Sequence, residues 1–274
     1  MAASALIMLR EGLEAALIVS IILAYLTRTG NRDRAGSVWV GTVVALLLSV
    51  FVGGLIFLTA GSFEGRAEEI FEGTAMLTAA GVLTYMIFWM RRQAINIRAN
   101  LQAQLHTALE SGSALALGGL AFVAVGREGI ETALFMFAAS KTTSPYATTL
   151  GGLLGLGGAV LLGYLLYRGT YRMNLRAFFN VTSVLLLLFA AGLLAHGLHE
   201  FHEAALIPPI VEHIWDTNAV LHERSTVGSF LAAIFGYNGN PSLLEVLAWA
   251  GYLGLVGWAY FRPATVRELR PQRA

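Results

Sequence analysis

The chain has no cysteine, which removes disulfides, thiolate metal sites, iron–sulfur clusters and cysteine nucleophiles and leaves its compartment open. Charge is scarce as well. Asp, Glu, Lys and Arg make up 13% of the 274 residues against 56% hydrophobic ones, and a mean hydropathy of +0.65 is too apolar for a soluble domain of this length. No Gly-x-x-x-x-Gly-Lys-Ser/Thr loop is present to cradle a nucleotide, and no His-Glu-x-x-His to support zinc proteolysis. A cleavable signal peptide is not expected, because the first apolar run lacks a basic leader and contains Arg10 and Glu11. The formal net charge of +1 does not point to nucleic acid. These exclusions leave an all-α integral membrane protein surrounded by lipid, with no catalytic constellation.

Seven apolar runs of spanning length are present, at roughly 5–26, 37–60, 71–90, 114–139, 148–167, 177–199 and 242–261. The connections after the first, third and fifth runs hold Arg28, Arg32, Arg34, Arg91, Arg92, Arg98, Arg168, Arg172 and Arg176, and the tail adds Arg262, Arg267, Arg270 and Arg273. The opposite loops hold only Arg66, Lys141 and Arg224. The positive-inside rule therefore predicts an outside N-terminus and a cytoplasmic C-terminus in the cytoplasmic (inner) membrane. The expected organisation is one polytopic domain: repeat one 1–90, an amphipathic cytoplasmic linker 91–113, repeat two 114–199, an extracytoplasmic cap 200–240, a seventh span 241–262 and a cytoplasmic tail 263–274. Gly151, Gly152, Gly155, Gly157 and Gly158 in span five, with Gly251, Gly254 and Gly257 in span seven, predict close helix packing within one chain or in a homo-oligomer.

Charge is concentrated in a motif that occurs twice, Arg10-Glu11-Gly12-Leu13-Glu14 and Arg127-Glu128-Gly129-Ile130-Glu131. In a helix its Arg and both Glu share one face. Gly12 and Gly129 leave room for another backbone or a dehydrated ion. Three spans separate the two hosts, so they cross in opposite directions, and spans one to three and four to six read as a 3+3 inverted repeat with a seventh helix outside it. Phe71-Glu72-Gly-Thr74 and Phe179-Asn180-Val-Thr182 echo the same repeat. At about 1.5 Å per residue, Glu11 and Glu131 lie about 9 Å below the outer ends of their helices, and Glu14 and Glu128 about 13 Å. Four carboxylates and two arginines carry a formal charge of −2 at depth, where ionisable groups mark ion or proton paths. Such a site suits Fe(II), Mn(II), Mg(II) or Ca(II). The task expected of Arg10 and Arg127 is to keep carboxylates ionised.

The outer loops are acidic and histidine-rich. His196, His199, Glu200, His202 and Glu203 fall within eight residues, and at helical spacing His199 with His202 or Glu203 could chelate a metal. The same histidines would serve a membrane haem protein, which is the alternative from another class.

Arg10-Glu-Gly-Leu-Glu14, Arg127-Glu-Gly-Ile-Glu131, Phe71-Glu-Gly73, Ala190-Ala-Gly-Leu193, Phe201-His-Glu-Ala204 and Ile234-Phe-Gly-Tyr237 together resemble the high-affinity iron permeases, or oxidase-dependent iron transporters, most closely their bacterial EfeU branch. The resemblance covers almost the whole chain. It implies iron uptake, with Glu11, Glu14, Glu128 and Glu131 handling the ion, and an extracytoplasmic protein that oxidises or delivers iron. Glu72, His199, Glu200, His202 and Glu203 are further candidate metal contacts by their own chemistry, and His196 and His199 depart from the family pattern. Iron is then cargo, and no tightly bound organic cofactor is expected. Imidazoles at the entrance favour Fe(II), with Fe(III) from an external oxidase, or another divalent metal, as the alternatives.

Overall fold

The computed structural model describes residues 1–93, 97–110, 113–142, 144–167, 174–208, 210–223 and 225–262. The proposed tail 263–274, Arg168, Arg172, Arg224 and parts of the 91–113 linker lie outside them. The described residues are helical throughout their ordered elements, with no strand among them: α1 (Ala2–Arg28), α2 (Ala35–Ala60), α3 (Arg66–Gln93), α4 (Ile97–Glu110), α5 (Ala114–Thr142), α6 (Pro145–Tyr167), α7 (Leu175–Glu203), α8 (Thr226–Phe235) and α9 (Leu243–Phe261). Five of these, α2, α3, α6, α7 and α9, are long and apolar enough to cross a membrane. The two motif helices, α1 and α5, have the length, but each carries three charges in its middle.

Helix packing runs through small residues. Along α1 and α6, Gly151 faces Met1 and Ser4, Gly155 faces Ala5, a Cβ on Gly12 would lie 2.8 Å from Ala159 Cβ, and one on Gly163 would lie 2.8 Å from Ala16 Cβ. Residue numbers advance together, so these helices are parallel. The same holds along α2 and α5, where Gly41 faces Gly118, Ala45 faces Gly126, Ser49 faces Gly129, and Gly53 faces Ala133. Along α3 and α7 the order reverses: Gly73 meets Phe201 while Leu77 meets Gly197, which makes that pair antiparallel. The glycine ridge of α9 behaves differently, since a Cβ at Gly251, Gly254 or Gly257 would meet nothing within 4 Å among the described residues.

The main core gathers Ile7 of α1, Met76, Leu83 and Met86 of α3, Phe135 of α5, and Leu186, Ala190 and Leu193 of α7. Leu105 of α4 is buried with Ile22, Leu26 and Leu117, so this amphipathic helix seals the far ends of α1 and α5. After α7 the chain crosses the other end in irregular backbone to α8, which Ser225 caps by accepting from Gly228 N–H. The α8 helix stops at Gly236, whose φ of 69° is left-handed and whose backbone lies against Gly192 of α7. The start of α9 is fixed by a capping box between Ser242 and Glu245.

Candidate metal centre

Each motif folds as the helix period dictates, with one face turned inward and its glycine turned to a neighbour. Gly12 lies against Ala159 of α6 and Gly129 against Ser49 of α2, so both glycines serve helix approach. This brings α1 and α5 together with their carboxylates between them. Oxygens of Glu11, Glu128 and Glu131 all lie within 4.8 Å of one another. Glu128 is at the midpoint of α5, and because α1 starts about two turns below the start of α6, the cluster sits nearer mid-bundle than the motif's distance from its own helix end indicates.

The arginines differ. Arg10 is 0% exposed, donates from Nη1 to Glu11 Oε1 at 3.2 Å, and holds Nε 3.3 Å from Glu14 Oε1. The Met86 sulfur lies 3.5 Å from the same Nη1. Arg127 donates from Nε to Glu131 Oε1 at 2.8 Å, with its side chain 38% exposed, and stacks over Trp89 with 4.4 Å from its guanidinium carbon to the ring centre. Glu11, Glu14 and Glu128 are buried and Glu131 is half-buried.

One oxygen of each of the four glutamates (Glu11 Oε2, Glu14 Oε1, Glu128 Oε2 and Glu131 Oε2) is buried without a hydrogen-bond partner among the described residues. Unpaired buried carboxylate oxygens are costly. The converging carboxylates of Glu11, Glu128 and Glu131 could be satisfied together by a dehydrated divalent cation, since an all-oxygen donor set suits a hard or borderline ion, whereas Glu14 Oε1 lies beside Arg10 Nε.

The other candidates from the sequence stand apart from this cluster. Glu72 is ion-paired with Lys141, the chain's only lysine. His199 lies between two carboxylates, with Nδ1 3.0 Å from Glu245 Oε1 and Nε2 3.4 Å from Glu203 Oε1. His202 and His196 use Nδ1 on the carbonyls of Ile207 and Gly192. Among the described residues, His199, Glu200, His202 and Glu203 do not bring three ligand atoms together as the motif glutamates do. Glu245 is not among the sequence candidates, although Ser242-x-x-Glu245 after Pro241 is a legible helix start. Trp89 gave no signal at all.

The Iron permease FTR1 family matches residues 1–266. Among curated relatives, the ferrous iron permease EfeU of Escherichia coli O6:H1 is 42% identical over 271 residues, 98% of this chain and 95% of the relative. The ferrous iron permease EfeU of Yersinia pestis is 41% identical over 250 residues, 90% of this chain and 89% of the relative. No solved structure matches. A paired Arg-Glu-Gly-x-Glu site between two helices and similarity along almost the full length lead to the same conclusion: the chain is a multi-pass membrane protein that belongs to the iron permease FTR1 family.

Proposed function

We propose that the chain imports Fe(II) across the cytoplasmic membrane through the carboxylates of Glu11, Glu128 and Glu131, with Glu14 beside them. The observation that carries this reading is the convergence of three buried or half-buried carboxylates, Glu11, Glu128 and Glu131, each with an oxygen that has no hydrogen-bond partner among the described residues. In this reading α1 and α5 also span, giving seven spans with an outside N-terminus and a cytoplasmic C-terminus. The first three spans and the next three form an inverted repeat, α1 to α3 and α5 to α7. In support, exchanging α1 with α5 and α2 with α6 turns the Gly12–Ala159 contact into Gly129–Ser49 and Ala16–Gly163 into Ala133–Gly53.

The ion enters past Glu72, Glu200, Glu203, His199 and His202, sheds water at the midpoint of the bundle, and leaves toward the end sealed by α4. Arg10 and Arg127 offset part of the negative charge, so that ionised carboxylates can stay buried, and the surplus of −2 draws in a divalent cation. Moving such an ion inward along about 150 mV of potential releases about 7 kcal/mol, so no nucleotide is required. The relatives' description as ferrous iron permeases supports Fe(II). An extracytoplasmic protein that hands over iron completes the scheme.

The test is uptake by proteoliposomes with Fe(II), Fe(III), Mn(II) and Zn(II) in competition under defined redox conditions. Fe(II) is expected to be the ion carried and Glu128→Gln to be inert. Normal Fe(II) uptake by Glu128→Gln sinks the site, and Fe(III) carried in preference sinks the choice of ion.

A further inference from the structure

The two motifs share a sequence but not a charge arrangement. Arg10 reaches Glu11 and lies beside Glu14, so it spends its charge on both glutamates of its own copy. Among the described residues Arg127 makes its hydrogen bond and ion pair with Glu131 and reaches Glu128 and Glu14 only through charge at a distance, and one buried oxygen of Glu128 has no hydrogen-bond partner among them. The difference comes from α3. Met86 and Trp89 are three residues apart on that helix, on neighbouring positions of one face, and each touches one arginine. At the places in α7 that the Phe71/Phe179 alignment pairs with them stand Leu194 and Gly197, which carry neither a sulfur nor a ring.

A ring face attracts a guanidinium without offering it a strong acceptor, so it fixes where the charge sits and leaves that charge unneutralised. Arg127 has the freedom that makes such a hold matter, because its side chain is 38% exposed while that of Arg10 is sealed. We infer that Trp89 is a positioning residue of the transport site: it draws Arg127 toward α3, where the guanidinium serves Glu131 and leaves Glu128 for the ion. This rests on the carboxylate site proposed above. Without the ring, Arg127 adopts the arrangement seen for Arg10 and neutralises Glu128 as well. The site then loses the negative charge at the point where the two motifs meet.

The experiment measures Fe(II) uptake by proteoliposomes kept reduced, at equal amounts of inserted protein. Trp89→Leu is expected to raise the apparent KM about tenfold while holding the maximal rate within about twofold, with Trp89→Phe in between, following the order of ring attraction for a cation. Fluorinated tryptophans placed at position 89 keep the shape and drain the ring face of charge, so KM is expected to climb with each added fluorine. A flat KM across the fluorinated series overturns the role of Trp89, as does a Trp89→Leu defect confined to the maximal rate. Glu128→Gln in the same vesicles separates the two claims: if it is inert while the fluorinated series is flat, only the positioning role falls, whereas normal uptake by Glu128→Gln removes the site on which that role depends.

Discussion

Arg10-Glu-Gly-Leu-Glu14 and Arg127-Glu-Gly-Ile-Glu131 differ at one residue in five, yet one arginine is sealed and serves two carboxylates while the other is partly exposed and serves one. The motif sets which groups share a helix face. A third helix decides how their charges pair. Met86 lies against the first arginine and Trp89 against the second, so two nearly identical strings acquire different electrostatics from residues far away in the sequence.

That contrast can be broken most forcefully at the arginines. Arg10→Ala leaves Glu11 and Glu14 buried without their cation and is expected to cost about 3–5 kcal/mol, against about 1 kcal/mol or less for Arg127→Ala at its half-open position. Thermal unfolding of the purified proteins in detergent compares the two directly, and equal losses would show that burial does not distinguish the copies. At the carboxylates, Glu128→Gln is expected to slow uptake by about a hundredfold or more, which leaves it effectively inert, as for one charged ligand worth about 3 kcal/mol, and Glu14→Gln, held by Arg10, about tenfold. Initial rates in proteoliposomes check the order. Reversed severity places Glu14 at the centre of the site.

A smaller effect is expected at the glycines. Gly12→Ala sets a methyl 2.8 Å from Ala159 Cβ and should cost about 1–3 kcal/mol, most of it restored by adding Ala159→Gly. No restoration in the double variant means that Gly12 acts on the carboxylates and not on the α1–α6 contact. The smallest effect belongs to α9: Gly251→Ala, with open space beside it, should change stability by less than about 0.5 kcal/mol. A clear loss there, accompanied by a change in oligomeric mass, reveals a second copy on that ridge.

Much of this arrangement is legible in the sequence because charge in the middle of a long apolar run is rare enough to stand out. The doubled motif points to Glu11, Glu14, Glu128 and Glu131 as one group, since helical period and the count of intervening runs are both local facts, and three of the four, Glu11, Glu128 and Glu131, converge while Glu14 stays beside Arg10. Their depth was harder to read, because the start of α1 is set against α6, and that register depends on Met1, Ser4 and Ala5 meeting Gly151 and Gly155. Glu72 looked like a ligand, but whether Lys141 lies against it is settled only by how α3 and α5 cross. His199 looked like half of an i, i+4 chelate, and its closest carboxylate proved to be Glu245, 46 residues on. Trp89 was invisible for the same reason. A lone tryptophan in an apolar run looks like core until the helix opposite is known to present a guanidinium.

The pairing of α1 with α6 and of α2 with α5 also bears on how the protein is made. The first charged helix leaves the ribosome about 150 residues before the helix that packs along it, a delay of roughly 7 to 30 s at ordinary rates of synthesis. Until then Arg10, Glu11 and Glu14 are without the partner helix α6, and Arg10 is the cation that offsets one of their two negative charges. Neither half of the protein contains both members of a parallel pair. The first half can therefore be inserted early, but it cannot be finished until the second half arrives.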